Sequence, residues 1–127
     1  MNDNRMLVVD DDDDVRDLIL ATFARAGYAT EGVRGGHAAL DAMATATPAA
    51  VVLDVDMPDL GGLAVCEALR SDERYRDCPV LLVSAQSAVA DVEAGYRAGA
   101  DDFLSKPFSP GELLGRVERL LRAPAVT

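Results

Sequence analysis

Long apolar runs are missing from this 127-residue chain. Half of its residues are hydrophobic, yet they never form more than short uninterrupted stretches, which excludes a membrane-spanning helix. Positive charge is scarce as well: 12 Lys and Arg stand against 22 Asp and Glu, giving a formal charge of −10 and a pI near 4.3. Binding a nucleic-acid backbone needs clustered cations, so that class is excluded, and an acidic partner surface is equally disfavoured. The cysteines are limited to Cys66 and Cys78, which match no metal-ligand spacing and read as reduced, structural thiols. The opening residues Met1-Asn2-Asp3-Asn4-Arg5 lack the basic and apolar regions of a secretory signal, so the expected location is cytoplasmic.

What the chain does have is short β-branched runs, each followed by a helical pattern. Its length suits one domain, large enough to bury a core without disulfides or structural metal. Arg5 to Val9 reads as a first strand, after which Val15, Leu18, Ile19, Thr22 and Phe23 recur at helical spacing until Gly27. Tyr28 to Val33 suits an edge strand, and a helical stretch through Ala39, Leu40 and Met43 stops before Pro48. Val51 to Leu53 is the third strand. Gly61-Gly62 opens a helix carrying Leu63, Cys66 and Leu69, and Pro79 introduces a fourth strand, Val80 to Val83. Ser84 closes that strand. Ser87 is the expected cap of a helix whose Val89, Val92 and Tyr96 face the core, ending at Gly99. Asp102 to Ser105 is the fifth strand. The last helix has Ser109 as N-cap, Pro110 at its first position and Glu112 three residues after the cap. Its buried stripe is Leu113, Leu114, Val117, Leu120 and Leu121. The pattern is (βα) five times, with first, third and fourth strands almost wholly apolar, as expected when helices cover both faces of a parallel sheet. The expected core runs over about 5–121, with 122–127 a frayed tail or the start of a linker.

Two of the apolar runs end in acids. Met6-Leu7-Val8-Val9 leads into Asp10-Asp11, and Ala50-Val51-Val52-Leu53 into Asp54-Val55-Asp56-Met57-Pro58. As neighbouring parallel strands they bring their acids to the edge where open α/β folds put their sites. Strands lie roughly 4.8 Å apart, so Asp10, Asp11 and Asp54 crowd their carboxylates together. Such a cluster either takes up protons or binds a hard cation through oxygen, for which Mg2+ is the natural candidate. Asp12, Asp13 and Asp14 read instead as cap and first-turn acids of the following helix. Lys106, fixed by Pro107 at the end of the fifth strand, supplies a point charge for a phosphoryl oxygen, and Ser84 a hydroxyl. Alone, each is an ordinary solvated lysine or turn-forming serine. Together with the carboxylates on one edge, they are the equipment of phosphoryl transfer.

In order and spacing, Val8-Val9-Asp10-Asp11-Asp12, Leu53-Asp54-Val55-Asp56-Met57-Pro58, Val83-Ser84-Ala85, Gly99-Ala100-Asp101-Asp102-Phe103 and Lys106-Pro107-Phe108 form a specific set. Over about Arg5 to Leu121 the chain resembles the receiver domain of bacterial two-component response regulators, in particular the single-domain chemotaxis type. The resemblance implies a flavodoxin-like, doubly wound α/β sandwich with a five-stranded parallel sheet of order 2-1-3-4-5. It implies Asp54 as phosphoacceptor, with Mg2+ held by Asp10, Asp11, Asp54 and the backbone carbonyl of Asp56, and Mn2+ as the alternative ion. Ser84 resembles the hydroxyl that bonds the phosphoryl group, Lys106 its charge partner, and Phe103 the aromatic that turns inward on activation. The Lys106-Pro107 bond is expected to be cis, as tight turns with proline allow. The implied role is a signalling phosphoacceptor and not an enzyme, although it assists its own phosphorylation and slow dephosphorylation. The implied donor is a histidine kinase or histidine phosphotransfer protein. Output passes through the face of helix four, strand five and helix five to a downstream protein or to an output domain outside this chain. The expected state before phosphorylation is a monomer, without contact to nucleic acid or membrane.

Some positions depart from the family pattern. Asp13 stands where many relatives carry proline, Asp56 adds an acid two residues after the acceptor, and Gln86 lies two after Ser84, where it can affect how water reaches the acyl phosphate. His37 lies far from every motif and reads as a surface histidine. Two alternatives compete. Asp54-x-Asp56 also resembles the nucleophile motif of haloacid-dehalogenase-type phosphatases, but the acid pair lies upstream and no residues remain for a cap. A pseudo-receiver serving only as an interaction module is disfavoured by the intact acceptor, acid pair, hydroxyl and lysine.

Overall fold

The computed structural model describes residues 4–122. Strands and helices alternate throughout: β1 (Arg5–Val9), α1 (Asp13–Arg25), β2 (Ala29–Val33), α2 (Gly36–Thr45), β3 (Ala50–Asp54), α3 (Gly62–Arg70), β4 (Val80–Ser84), α4 (Val89–Arg97), β5 (Asp102–Ser105) and α5 (Pro110–Arg122). The strands are all parallel in the order β2-β1-β3-β4-β5, the doubly wound, flavodoxin-like α/β arrangement.

Alternation along each strand divides the core into two layers. Leu7, Val9, Val51, Leu53, Val80 and Leu82 pack with α2 and α3 through Met43, Val65 and Leu69. Met6, Val8, Val52, Leu81 and Val83 pack on the opposite face with Ile19 and Phe23 of α1 and Leu113 and Val117 of α5. Each fully buried aliphatic side chain of this kind contributes about 1.5–3 kcal/mol. The three inner strands therefore read as continuous apolar runs, while edge strand β2 has no fully buried residue.

Local chemistry sets the helix ends. The Asp12 carboxylate caps α1 by accepting from the N–H groups of Asp14 and Val15 at 2.9 and 3.2 Å. Gly27 and Gly99 take the left-handed conformation just beyond α1 and α4, with φ of 96° and 107°. Ser109 Oγ accepts from Glu112 N–H at 3.1 Å, and the Lys106–Pro107 bond is cis. In α5, Leu113 and Val117 are fully buried, whereas Leu114, Leu120 and Leu121 are only partly covered. Arg122 is still helical, so it belongs to α5 and not to a tail; residues 123–127 lie outside the described residues.

Helix α4 departs from expectation. Its N-cap is Ala88, without a side-chain cap, and not Ser87. Val89 is 75% exposed and Tyr96 47% exposed, while Val92 is partly buried against the core. The inward face is made by Gly95 because Phe103 and Leu82 occupy the space beside it. A Cβ on Gly95 would come within 2.9 Å of Phe103 Cδ2 and 3.1 Å of Leu82 Cδ1. No described helix is long and apolar enough to cross a membrane.

The chain leaves central β1 for β2 on one side and returns to β3 on the other. The loops after β1 and β3 therefore diverge, which opens a crevice at the C-terminal ends of the strands.

Candidate functional site

Val9 lies opposite Leu53 in the β1–β3 ladder, so Asp10 and Asp54 come next at the same edge. Their residues are only 1% and 4% exposed, whereas Asp11 is exposed. Carboxylate oxygens of Asp10, Asp11 and Asp54 all lie within 4.8 Å of one another. On the other side of β3, Asp54 pairs with Val83, and Ser84 pairs with Ser105. Lys106 N–H then donates to the Ser84 carbonyl at 2.9 Å, which carries the lysine to this edge. Its Nζ donates to Asp10 Oδ2 at 3.2 Å and to Asp54 Oδ1 at 3.3 Å.

The backbone around Asp10 is held from three directions. Asp10 N–H donates to the Val33 carbonyl at 3.2 Å, Asp12 N–H donates to Asp10 Oδ1 at 2.9 Å, and Arg16 Nη1 donates to the Asp10 carbonyl at 2.9 Å. Arg16 also reaches Asp13 Oδ1 at 2.6 Å, and Arg34 lies 3.7 Å from the same oxygen. The acidic run thus divides by position. Asp10 and Asp11 join the cluster, Asp12 caps α1, and Asp13 pairs with arginines.

Burial pushes the Asp54 carboxyl up to about 6; the charge of Asp10 adds to this, while Lys106 and the Asp56 N–H oppose it. For Lys106, burial favours the neutral amine, but attraction to Asp54 and Asp10 outweighs it and holds the ammonium above its ordinary range. The cluster is short of positive charge, since one ammonium serves two buried carboxylates beside a third acid. Its all-oxygen donor set fits a hard divalent cation such as Mg2+.

The remaining expected site residues surround this cluster. Ser84 is 0% exposed, and its Oγ accepts from Gln86 N–H at 2.9 Å. Asp56 has an exposed side chain and directs its N–H to Asp54. Phe103 lies inside, 8% exposed, beneath α4. His37 is exposed at the start of α2, as expected of a surface histidine. Cys66 and Cys78 are free and buried, and burial pushes both thiols up to about 11.

Two contributors were not legible from motifs. Arg16 reads in sequence as one more helix-surface arginine, although its i−3 spacing from Asp13 is a signal for their pairing. Asp59 accepts from the N–H groups of Gly36 and His37, and the available signal was the Gly35-Gly36 start of α2, which lacks a cap of its own.

Residues 6–118 match the family described as response regulator receiver domain. Response regulator MprA of Mycolicibacterium vanbaalenii is 48% identical over 118 residues, which cover 93% of this chain and 50% of that protein. The chain therefore spans about half the length of the curated relatives it matches. Chemotaxis protein CheY4 of Vibrio cholerae superposes with a TM-score of 0.88 at 30% identity, covering 93% of this chain and 98% of that one. The receiver domain of Francisella response regulator 1452 gives 0.88 at 32% identity, covering 94% and 98%. The family match includes the acid pair, the Asp54 motif and the lysine together, whereas the phosphatase motif accounts for the Asp54 segment alone. By both sequence and fold, the chain belongs to the response regulator receiver domain family, the phosphoaccepting module of bacterial two-component signalling.

Proposed function

We propose that Asp54 accepts a phosphoryl group from a phosphohistidine on a partner histidine kinase or histidine phosphotransfer protein. The observation that carries this reading is the Lys106 ammonium shared between Asp10 and Asp54 at the mouth of the crevice. An Asp54 carboxylate oxygen attacks phosphorus; the new O–P bond forms as the P–N bond to imidazole breaks. The bonding pair remains on the imidazole nitrogen, which takes a proton from water, leaving neutral histidine and an aspartyl phosphate. Lys106 transfers its hydrogen bond from Asp54 to a phosphoryl oxygen and neutralises charge there.

Asp10, Asp11, Asp54 and the Asp56 carbonyl would hold Mg2+, with Mn2+ as a substitute. When bound, the ion supplies the missing positive charge for both the carboxylates and the phosphoryl oxygens. The Ser84 hydroxyl, whose oxygen accepts from the Gln86 N–H, donates its proton to a phosphoryl oxygen and moves towards it, and the inward Phe103 ring fills the space behind it. The face of α4, β5 and α5, where Val89 and Tyr96 are exposed, then changes shape for a downstream protein or an output domain outside this chain.

Hydrolysis of the acyl phosphate resets the domain slowly, so the chain works as a signalling acceptor and not as a turnover enzyme. We place it in the cytoplasm, monomeric before phosphorylation, away from nucleic acid and membrane. Intact-mass measurement after incubation with a small-molecule phosphodonor tests this reading. One Mg2+-dependent phosphoryl group, absent from Asp54→Asn, is expected. No adduct after rapid quenching would favour a phosphorylation-independent interaction module.

A further inference from the structure

We infer that Asp59 is a positioning residue for the metal-binding loop: it fastens the segment carrying Asp56 to the N-terminus of α2 and thereby sets the affinity for Mg2+. This rests on the reading above, in which the Asp56 carbonyl is a ligand.

Helix α2 begins without a cap of its own. Its N-cap residue is Gly35, no side chain caps it locally, and its first turn holds no acid. The first N–H groups of a helix need acceptors, and these come from 23 and 22 residues away. Asp59 Oδ1 accepts from Gly36 N–H at 3.2 Å, and Oδ2 accepts from His37 N–H at 3.1 Å. One carboxylate thus serves as both cap and first-turn acid for a distant helix.

The glycines form the socket. A Cβ on Gly35 would fall 2.6 Å from Asp59 Oδ1, and one on Gly36 would collide with the Leu60 carbonyl oxygen. Gly35 has an ordinary extended φ of −163°, so what glycine provides there is room.

Backbone hydrogen bonds fasten the two ends of the loop, and Met57 and Leu60 pack partly buried against the core. Val55 N–H donates to the Val83 carbonyl at 3.0 Å, and Gly62 N–H donates to the Val55 carbonyl at 2.9 Å. Asp56 lies between them. Among the described residues, no side chain from Val55 to Gly61 other than that of Asp59 hydrogen-bonds a distant element. Mg2+ demands near-ideal octahedral geometry, so its binding responds to a drift of one carbonyl that the fold itself tolerates.

Calorimetric titration with Mg2+ alone, beside thermal melts, tests the inference on the wild-type chain, Asp59→Ala and Gly35→Ala. Asp59→Ala is expected to weaken Mg2+ by about ten-fold while still melting cooperatively, in the range seen when groups supporting metal ligands are removed. At saturating Mg2+ its maximal rate of phosphorylation should return to the wild-type value. Asp59→Asn, which keeps one acceptor oxygen, should recover part of the affinity. Gly35→Ala, which displaces the carboxylate without removing it, should reproduce the loss. Wild-type affinity in a folded Asp59→Ala would overturn the inference alone, leaving Asp59 a helix cap. A wild-type chain that binds no Mg2+ would overturn the metal reading together with it.

Discussion

Lys106 Nζ stands 3.3 Å from Asp54 Oδ1, and 3.2 Å on its other side lies Asp10 Oδ2. One ammonium is thus the counter-charge for two buried carboxylates. Replacing it by methionine should destabilise the chain in chelator by about 3 kcal/mol, because removing one partner of a buried pair leaves an uncompensated charge. Saturating Mg2+ should restore more stability to Lys106→Met than it adds to the wild type. Urea melts with and without the ion measure both effects, and equal gains in the two proteins would count against a shared electrostatic site. Phosphorylation should slow by about 100-fold even with Mg2+ present, the loss typical of one preorganised donor.

Asp54 titrates near 6 in the metal-free fold because burial and Asp10 oppose its charge. In the unfolded chain it releases its proton near about 3.9. Between these values the folded state holds a proton that the unfolded state has lost, so stability falls as pH rises from about 4 to 6. A shift of this size costs about 3 kcal/mol above that window. In chelator at pH 7, Asp54→Asn should therefore be more stable than the wild type by about 1–3 kcal/mol, with the difference fading towards pH 4. A pH-independent difference would contradict this assignment.

Gly95 gives Phe103 its place beneath α4. Alanine at a helical glycine ordinarily stabilises by about 1 kcal/mol. Here the added methyl meets the ring, so Gly95→Ala should instead destabilise by about 1–3 kcal/mol and drive Phe103 outward. Thermal melts and ring NMR shifts report the two effects; a stabilised variant with unchanged shifts would mean that the ring has slack.

Arg70 joins α3 to the ends of two later segments. Its guanidinium donates to the carbonyls of Gly99 at 2.7 Å, Arg76 at 3.0 Å and Cys78 at 2.8 Å, and to Asp101 Oδ2 at 2.8 Å. An ammonium cannot span that set. Arg70→Lys should cost about 1–3 kcal/mol in denaturant melts, and a change within error would show these contacts to be dispensable.

Strands β1, β3 and β4 were legible because full burial on both faces leaves a plain apolar signature, and Asp10 and Asp54 were legible because they stand at the ends of two such strands, whereas Lys106 follows the short, half-buried β5 and was marked by the adjoining Pro107. Helix α4 misled for the opposite reason. Its core contact is made by small Gly95, so the periodicity of the large residues Val89 and Tyr96 pointed to the wrong face. Asp59 was invisible as a cap because its helix begins 23 residues earlier in the chain. A side chain that acts across such a distance leaves no local pattern, whereas the residues it serves, Gly35 and Gly36, look like an ordinary turn.

Reductive trapping tests the central claim that Asp54 is the phosphoacceptor. After brief exposure to a small-molecule phosphodonor and Mg2+, borohydride converts an aspartyl phosphate to homoserine, which peptide mass spectrometry locates. Homoserine at position 54 alone is the expected result. Its appearance instead at position 10, 11 or 56, or its absence from a chain that has gained a phosphoryl group, would contradict the account.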